Sequence, residues 1–465
     1  MFLLASAVFL PVSGWVADRF GAKRIFMVAM ILFALSSAAC GFANNLGQLV
    51  LARMFQGMAG AMMAPVGRLV LLRTTPKSEL VGAMSVLTMP ALLGPVIGPP
   101  LGGFIVTYFD WRWIFYINLP FGLVALLLAN HYLPNSRFKQ AIHRVDWIGI
   151  LLLAVGIGAL QIMLERGEHE QWFDSHEIQA LAAITALSLV AFVWHELRTA
   201  HPVVDFSPLR DAQFSASIVF SFLLGMALFG TIFYLPLYLQ SLLNYNAWET
   251  GLVILPGAIA SGVTMAVMGK TLARLNIDLR WIAILGVAIF GVSMYQHQAF
   301  TTESGHADFF WPLIWRGVGL GMLFVPLNAL AMARIAPEQI AGATGLYTLI
   351  RQLGGSVGIA AAATQFSHLQ ATFKADISLS VSELSQSTRD YEFMMQQLLT
   401  SKGVNHADLP EAMYRLLDAQ MTAQASMIAF EHLFSQFSLA LVFALPLLLL
   451  MPTAKNLERF GGGDH

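Results

Sequence analysis

The sequence predicts an all-α, polytopic membrane protein, and three observations carry that expectation. Of 465 residues, 57% are hydrophobic and only 11% are charged, with a mean hydropathy of +0.66; soluble domains carry about 25% charged residues. Thirteen apolar runs, most of them long enough to cross a hydrocarbon core of ~30 Å as helices, are separated by charged connections. Those connections alternate in sign content. With the first taken as inward, the inner ones collect residues such as Arg73, Lys77, Arg137, Arg144, Arg198, Arg210, Lys270, Arg280, Arg334 and Lys455, whereas the short outer ones hold only Arg112 and Arg166. Basic residues are retained on the cytoplasmic side during insertion, so this alternation orients every helix.

The first run, 1–17, lacks the basic start and small-residue cleavage site of a signal peptide. It reads as a membrane helix rather than a leader. Runs at 24–42, 46–72, 79–107 and 113–133 complete the first group, the last opening on aromatics suited to a membrane interface. Runs at 146–164 and 178–197 flank an acidic outer turn at 165–177, and runs at 214–240, 248–268, 280–298, 308–333 and 341–366 follow. A polar outer stretch at 367–432 contains helical patches at 390–399 and 410–427, before a final run at 433–452 and a tail at 453–465 predicted to be cytoplasmic.

Charge and cysteine usage exclude several classes. A net charge of −1 supplies no global field for nucleic acid. The single cysteine, Cys40, lies in an apolar run and excludes a disulfide framework within the chain. No glycine loop has the spacing of a nucleotide-binding P-loop, and no His, Cys and Asp residues are spaced as metal ligands, so neither an enzymatic activity nor a cofactor is expected. His131, His195 and His297 read as interfacial side chains.

An internal echo divides the chain. Gly269 to Asn276 resembles Gly14 to Gly21, Arg316 to Gly319 resembles Arg53 to Gly57, and Pro337 with Gly342 resembles Pro76 with Gly82. The offsets, roughly 255 to 263 residues, are those of two parallel halves. The expected organisation is an N-terminal bundle at 1–133, two inserted helices at 134–212, a C-terminal bundle at 213–366, a long periplasmic loop at 367–432 and the last helix with its tail at 433–465.

The turn Gly14-Trp15-Val16-Ala17-Asp18-Arg19-Phe20-Gly21-Ala22-Lys23-Arg24 matches every specified position of G-x-x-x-D-R-x-G-x-K/R-K/R. In this it resembles the major facilitator superfamily, whose signature loop joins its second and third helices. The resemblance implies two pseudo-symmetric six-helix halves that rock about a midplane site, with Gly14, Asp18, Arg19, Gly21, Lys23 and Arg24 as the gating loop. Asp18 would then latch onto the N-terminus of the helix beginning near Ala341. Gly94-Pro95-Val96-Ile97-Gly98-Pro99-Pro100-Leu101-Gly102-Gly103 matches G-P-x-x-G-P-x-x-G-G, the signature of drug:proton antiporters. Small residues at Gly94, Gly98, Gly102 and Gly103 are expected to let another helix approach, while Pro95 and Pro99 bend the segment.

Arg53-Met54-Phe55-Gln56-Gly57 resembles the superfamily element implicated in proton transfer. A guanidinium within a membrane is costly unless it faces a partner or a wet cavity, which makes Arg53, Arg316 and Arg351 functional candidates, with Gln56 beside them in the substrate cavity. Residues 110–120, 351–358 and 161–173 are similar to the fourteen-helix drug:proton antiporter subgroup (EmrB/QacA type), the last especially to its EmrB branch. No acid falls mid-helix. If Gly14 to Arg24 is the superfamily's loop after its second helix, the resemblance implies a further helix upstream of Met1, and the branch's coupling Asp belongs to it; either that acid is lost with a truncated start, or an interfacial acid such as Asp110 or Glu165 serves. The resemblance implies proton-coupled efflux of lipophilic small molecules across a bacterial inner membrane, in contact with membrane lipids. It also implies a periplasmic membrane-fusion adaptor leading to an outer-membrane channel. The alternatives are a proton-coupled metabolite importer of the same fold and a transport-inactive truncated membrane protein.

Overall fold

A chain so apolar must satisfy its backbone internally, and among the described residues it does so entirely in helices. The computed structural model describes residues 2, 5–6, 8–9, 13, 16–17, 20–74, 94, 97–133, 146–199, 202–274, 278–335, 339–380, 386–401 and 409–450. Helix α1 spans Ala22–Phe42 and α2 Leu46–Thr74. After a helical segment at 97–108 come α3 (Trp113–Tyr116) and α4 (Asn118–Tyr132). The expected single run at 113–133 is interrupted at Ile117 because Pro120, in the first turn of α4, lacks the N–H that a continuous helix would use.

Helices α5 (Trp147–Arg166) and α6 (His176–Glu196) form the inserted pair. The C-terminal bundle contains α7 (Ala212–Ser241), α8 (Ala247–Arg274), α9 (Leu279–His297), α10 (His306–Met332) and α11 (Ile340–Ser380). Helices α12 (Gln386–Ser401), α13 (Leu409–Phe443) and α14 (Leu445–Leu450) close the described chain. Ten of the described helical stretches are long and apolar enough to cross a membrane.

Three odd-numbered helices start with an aspartate cap at the Gly21 end of the bundle. Asp146 accepts from the Gly149 amide (2.9 Å), Asp211 from the Phe214 amide (2.8 Å) and Asp278 from the Arg280 amide (3.1 Å). Each satisfies a donor that the helix itself leaves free.

Packing runs through small residues. A Cβ on Gly225 would collide with the Arg351 carbonyl, one on Gly317 with the Gly257 carbonyl, and one on Gly319 would stand 2.7 Å from the Phe290 amide nitrogen. These contacts join α7 to α11 and draw α8, α9 and α10 together. Lipid offers no hydrophobic drive between helices, so close backbone approach supplies the van der Waals contact that holds them. The largest core cluster, centred on Tyr238, Phe290, Phe309, Phe430 and Phe434, lies in this C-terminal bundle. The inserted pair leans on the same bundle: Leu153, Ile157 and Phe192 are buried with Phe214, Leu346 and Tyr347, and Val8 joins them. Large apolar side chains such as Leu187, Val190 and Leu127 remain exposed on the outside, where lipid would cover them.

The stretch 367–432, expected as a long loop with helical patches, is largely helix. Helix α11 has 41 residues, about 60 Å, far more than a hydrocarbon core needs. Helix α13 packs alongside it. Lys374 pairs with Asp418 at 2.6 Å, Gln370 donates to Ser426 at 2.6 Å, and Phe373 stacks on His432. The two helices therefore form a braced hairpin, with α12 between them in the chain. The final run is also broken: α13 ends at Phe443 and the chain turns at Ala444, because Pro446 cannot donate into a continuing helix.

Candidate functional site

Of the gating loop, Gly14, Asp18 and Arg19 lie outside the described residues. Gly21 adopts φ 92°, a backbone conformation open to glycine and strained for residues with a Cβ, and it begins α1. Lys23 turns back to donate to the Asn130 carbonyl at 3.1 Å and to the Leu133 carbonyl, closing the last turn of α4, where a cation is also favoured by the helix dipole. Arg24 is exposed. The turn thus fastens the start of α1 to the end of α4 through Lys23.

Arg53 is partnered inside the N-terminal bundle. Its Nη1 donates to Gln56 Oε1 at 3.3 Å, and its guanidinium lies 4.5 Å from the centre of the Phe115 ring. Gln56, only 2% exposed, donates onward to Ser37 Oγ at 3.1 Å; Ser37 donates to the Phe115 carbonyl at 2.9 Å and accepts from Asn118 Nδ2 at 3.0 Å. The result is a continuous polar chain, Arg53–Gln56–Ser37–Asn118, joining α2, α1 and α4. Sequence reasoning named Arg53 and Gln56 and missed Ser37 and Asn118. The available signal was a hydroxyl and an amide inside otherwise apolar runs, where each polar group needs a partner.

Asp110 does not join this chain. It caps the turn before α3, accepting from the Arg112 amide at 2.9 Å and pairing with the Arg112 guanidinium at 3.4 Å, and its side chain is 53% exposed. Arg112 also lies over Trp111 and reaches the Ala43 carbonyl. Glu165 is exposed at the far end of α5.

The antiporter motif packs on a narrower face than its small-residue spacing suggests. Gly94, Gly98 and Gly102 have no neighbouring atom where a Cβ would stand, whereas a Cβ on Gly103 would collide with the Ala247 carbonyl. A Cβ on Gly251 would lie 2.8 Å from both the Pro99 carbonyl oxygen and the Pro100 Cα, and Trp248 N donates to Thr107 Oγ1 at 3.2 Å. Pro95 lies outside the described residues. The motif helix therefore meets α8 of the other half along Pro99, Pro100 and Gly103. Beside that seam an open apolar cleft of about 340 Å³ is lined by Ile97, Pro100, Leu101, Phe104, Trp248 and Leu255.

In the C-terminal bundle Arg316 is 7% exposed, and its Nη1 has no hydrogen-bond partner among the described residues. Arg351 lies 4.9 Å from the Phe324 ring centre and 5.7 Å from that of Tyr347. Each aromatic face offers the cation a partner that costs no second charge. Arg53 and Arg351 are thus both ring-stacked, one in each half. Of the three histidines expected at the interface, His297 stands in a last turn but is fully buried against Phe300 and Phe434, with Nδ1 bonded to the Ser293 carbonyl at 2.7 Å. His195, also in a last turn, is half-buried and bonded to Asp146 at 2.7 Å.

Residues 1–359 match the family model of the Major Facilitator Superfamily. The chain is 29% identical over 464 residues to the fatty acid resistance protein FarB of Neisseria gonorrhoeae, covering 100% of this chain and 89% of that protein. It is 31% identical over 383 residues to the multidrug export protein EmrB of Escherichia coli K12, covering 82% and 74% respectively. A bacterial homologue of the human lysosomal transporter Spinster, solved in an inward-facing and unoccupied conformation, shares the fold with a TM-score of 0.59 at 12% identity, covering 98% of this chain and 90% of that one.

Proposed function

The chain belongs to the major facilitator superfamily, and from that premise we propose that it exports lipophilic compounds across a bacterial inner membrane, by alternating access and in exchange for protons. It is a multi-pass membrane transporter and not an enzyme. The observation that carries the export reading is the seam between halves, where the motif helix is pressed onto α8 at Gly103 and Gly251 while Gly94, Gly98 and Gly102 face open space. A seam this close-packed resists leakage between the halves, which an exchanger driven by a proton gradient requires.

The substrates are neutral or weakly acidic lipophiles. Similarity to a multidrug export protein and a fatty acid resistance protein supports this. So does the charge inventory: Arg316 and Arg351 stand within the bundle, whereas the described acids of α5 to α10 (Glu165, Glu177, Glu196, Glu249 and Asp308) stand in first or last turns. Arg53 and its chain to Asn118 carry the proton path in the N-terminal half. Asp18 latches the N-terminal end of α11, and the tail at 453–465 is cytoplasmic. The hairpin of α11 and α13 receives a periplasmic membrane-fusion adaptor that leads to an outer-membrane channel. Exposed apolar residues on α12 (Phe393, Met394) and on the first turns of α13 (Tyr414, Leu416) support such a docking surface.

Purified protein in proteoliposomes decides the matter. Under an imposed proton gradient, a fluorescent neutral lipophile should move against the direction of proton flow, and a dicationic dye should not move. Flow of both in one direction would replace export by the importer reading, and absence of substrate-dependent proton movement would make the chain transport-inactive.

A further inference from the structure

The inserted helices α5 and α6 converge, at the Gly21 end of the bundle, on a pair of buried carboxyl groups that the transport reading does not use. Asp146 caps α5, and its side chain is 6% exposed. Its Oδ1 accepts from the Gly149 amide at 2.9 Å and is bonded to His195 Nε2 at 2.7 Å. Glu196, the last residue of α6, is 4% exposed, and its Oε2 accepts from the Val204 amide at 3.2 Å. The remaining oxygen of each, Asp146 Oδ2 and Glu196 Oε1, is buried and has no hydrogen-bond partner among the described residues. Both turn to one point: a Cβ on residue 149 would collide with Glu196 Oε1 and stand 2.6 Å from Asp146 Oδ2.

Two acceptor oxygens that approach one point away from water, with no donor to either among the described residues, repel if both groups are ionised. A single proton removes the conflict, because it turns one oxygen into a donor to the other and makes a charge-assisted bond of the strongest class. We propose that Asp146 and Glu196 together bind one proton, held between Asp146 Oδ2 and Glu196 Oε1. The inserted helix pair is then a proton-binding unit in its own right, whatever the direction of transport.

The groups around the pair fit this role. On α6, His195 bonds to the other Asp146 oxygen, and Arg198 lies over Trp194 at 4.3 Å. On the segment after α6, Asp205 is occupied by the Ser207 hydroxyl and amide. Val204, held by Glu196, is buried in one cluster with Phe214 of α7 and Leu346 and Tyr347 of α11, and Gly342 of α11 faces Asp205. Residues 134–145, which precede Asp146, lie outside the described residues. Because the same Glu196 holds Val204, and Val204 is buried with Phe214 and Tyr347, the pair also fastens the strap that ties the inserted helices to the C-terminal bundle. Removing the proton pushes the two carboxylates apart and slackens that strap.

Infrared titration of the purified protein in lipid nanodiscs tests the assignment. At neutral pH the wild type should show the carbonyl band of a hydrogen-bonded carboxylic acid, bleaching as pH rises. Glu196→Gln and Asp146→Asn should each abolish it and release one proton fewer per chain, while Glu165→Gln, at an exposed site, should leave it intact. Gly149→Ala, which wedges a methyl between the oxygens, should weaken or shift it. Absence of the band from wild type overturns the proposal, as does its persistence in either Glu196→Gln or Asp146→Asn, so failure of one of these variants to insert leaves the other decisive. Displacement of the band by sodium or calcium at fixed pH would also overturn it, in favour of a cation site.

Discussion

Pro100 of the motif helix and Gly251 of α8 are in such close contact that a Cβ on residue 251 would stand 2.8 Å from the proline Cα. The two belong to different halves of the molecule, so the space saved by one missing side chain sets how closely the halves meet.

Substitution at that seam should therefore separate packing from cavity effects. Gly251→Leu and Gly103→Leu should each destabilise by about 1–3 kcal/mol through overpacking and abolish coupled efflux. Gly98→Leu, which enters open space, should leave thermal stability unchanged. Equal thermal shifts for all three variants in detergent would remove the seam from the argument.

The polar chain at Arg53 should behave as a unit. Arg53→Lys loses the stacked guanidinium over Phe115, a contact worth ~0.5–2 kcal/mol, and Gln56→Ala strands the Arg53 and Ser37 groups it served, at about 1–3 kcal/mol. The double variant should lose less than the sum of the singles, in stability and in efflux rate. Strict additivity would show that the two residues act separately.

Gly21→Ala should cost about 1–3 kcal/mol, because φ 92° with ψ 128° is a backbone conformation essentially reserved for glycine. Gly21→Asn should cost as much, since the left-handed helical region that asparagine tolerates lies at a much smaller ψ. Unfolding midpoints measured in one detergent should fall for both variants; a wild-type midpoint in Gly21→Asn would show that the turn relaxes into the left-handed region.

Asp278 makes a pH-dependent contribution at the start of α9. Its carboxyl sits below the ordinary carboxylate value: burial alone would raise it, but hydrogen bonds and charge from Arg280 outweigh that. A lowered folded value means that stabilisation is fully present above the unfolded carboxylate pKa and is lost as pH falls through the folded one. The stability difference between wild type and Asp278→Asn should accordingly be largest near neutral pH and vanish on acidification. A difference that grows with acid would reverse the sign and refute it.

Deleting residues 380–425 should abolish resistance in intact cells of a two-membrane bacterium while leaving proteoliposome transport largely intact, as expected of a docking hairpin. Loss of both activities together would make the hairpin part of the transporter's own gate.

The sequence by itself determined the order of the apolar spans, the charge alternation that predicts their orientation, and the glycine turn that begins α1. Each is a local property: apolar length sets a span, a charge cluster ends it, and Gly21 acts within one turn. Tertiary structure alone decided which faces meet. The helices are apolar nearly all round, so no periodic stripe marks the side of a helix that faces protein rather than lipid. That is why Gly103, and not Gly98, was found at the seam, why Ser37 and Asn118 joined Arg53, and why His297 was covered. Asp146 and Glu196, 50 positions apart in a chain that gives each an ordinary helix-end role, became a pair only when α5 and α6 closed on Gly149.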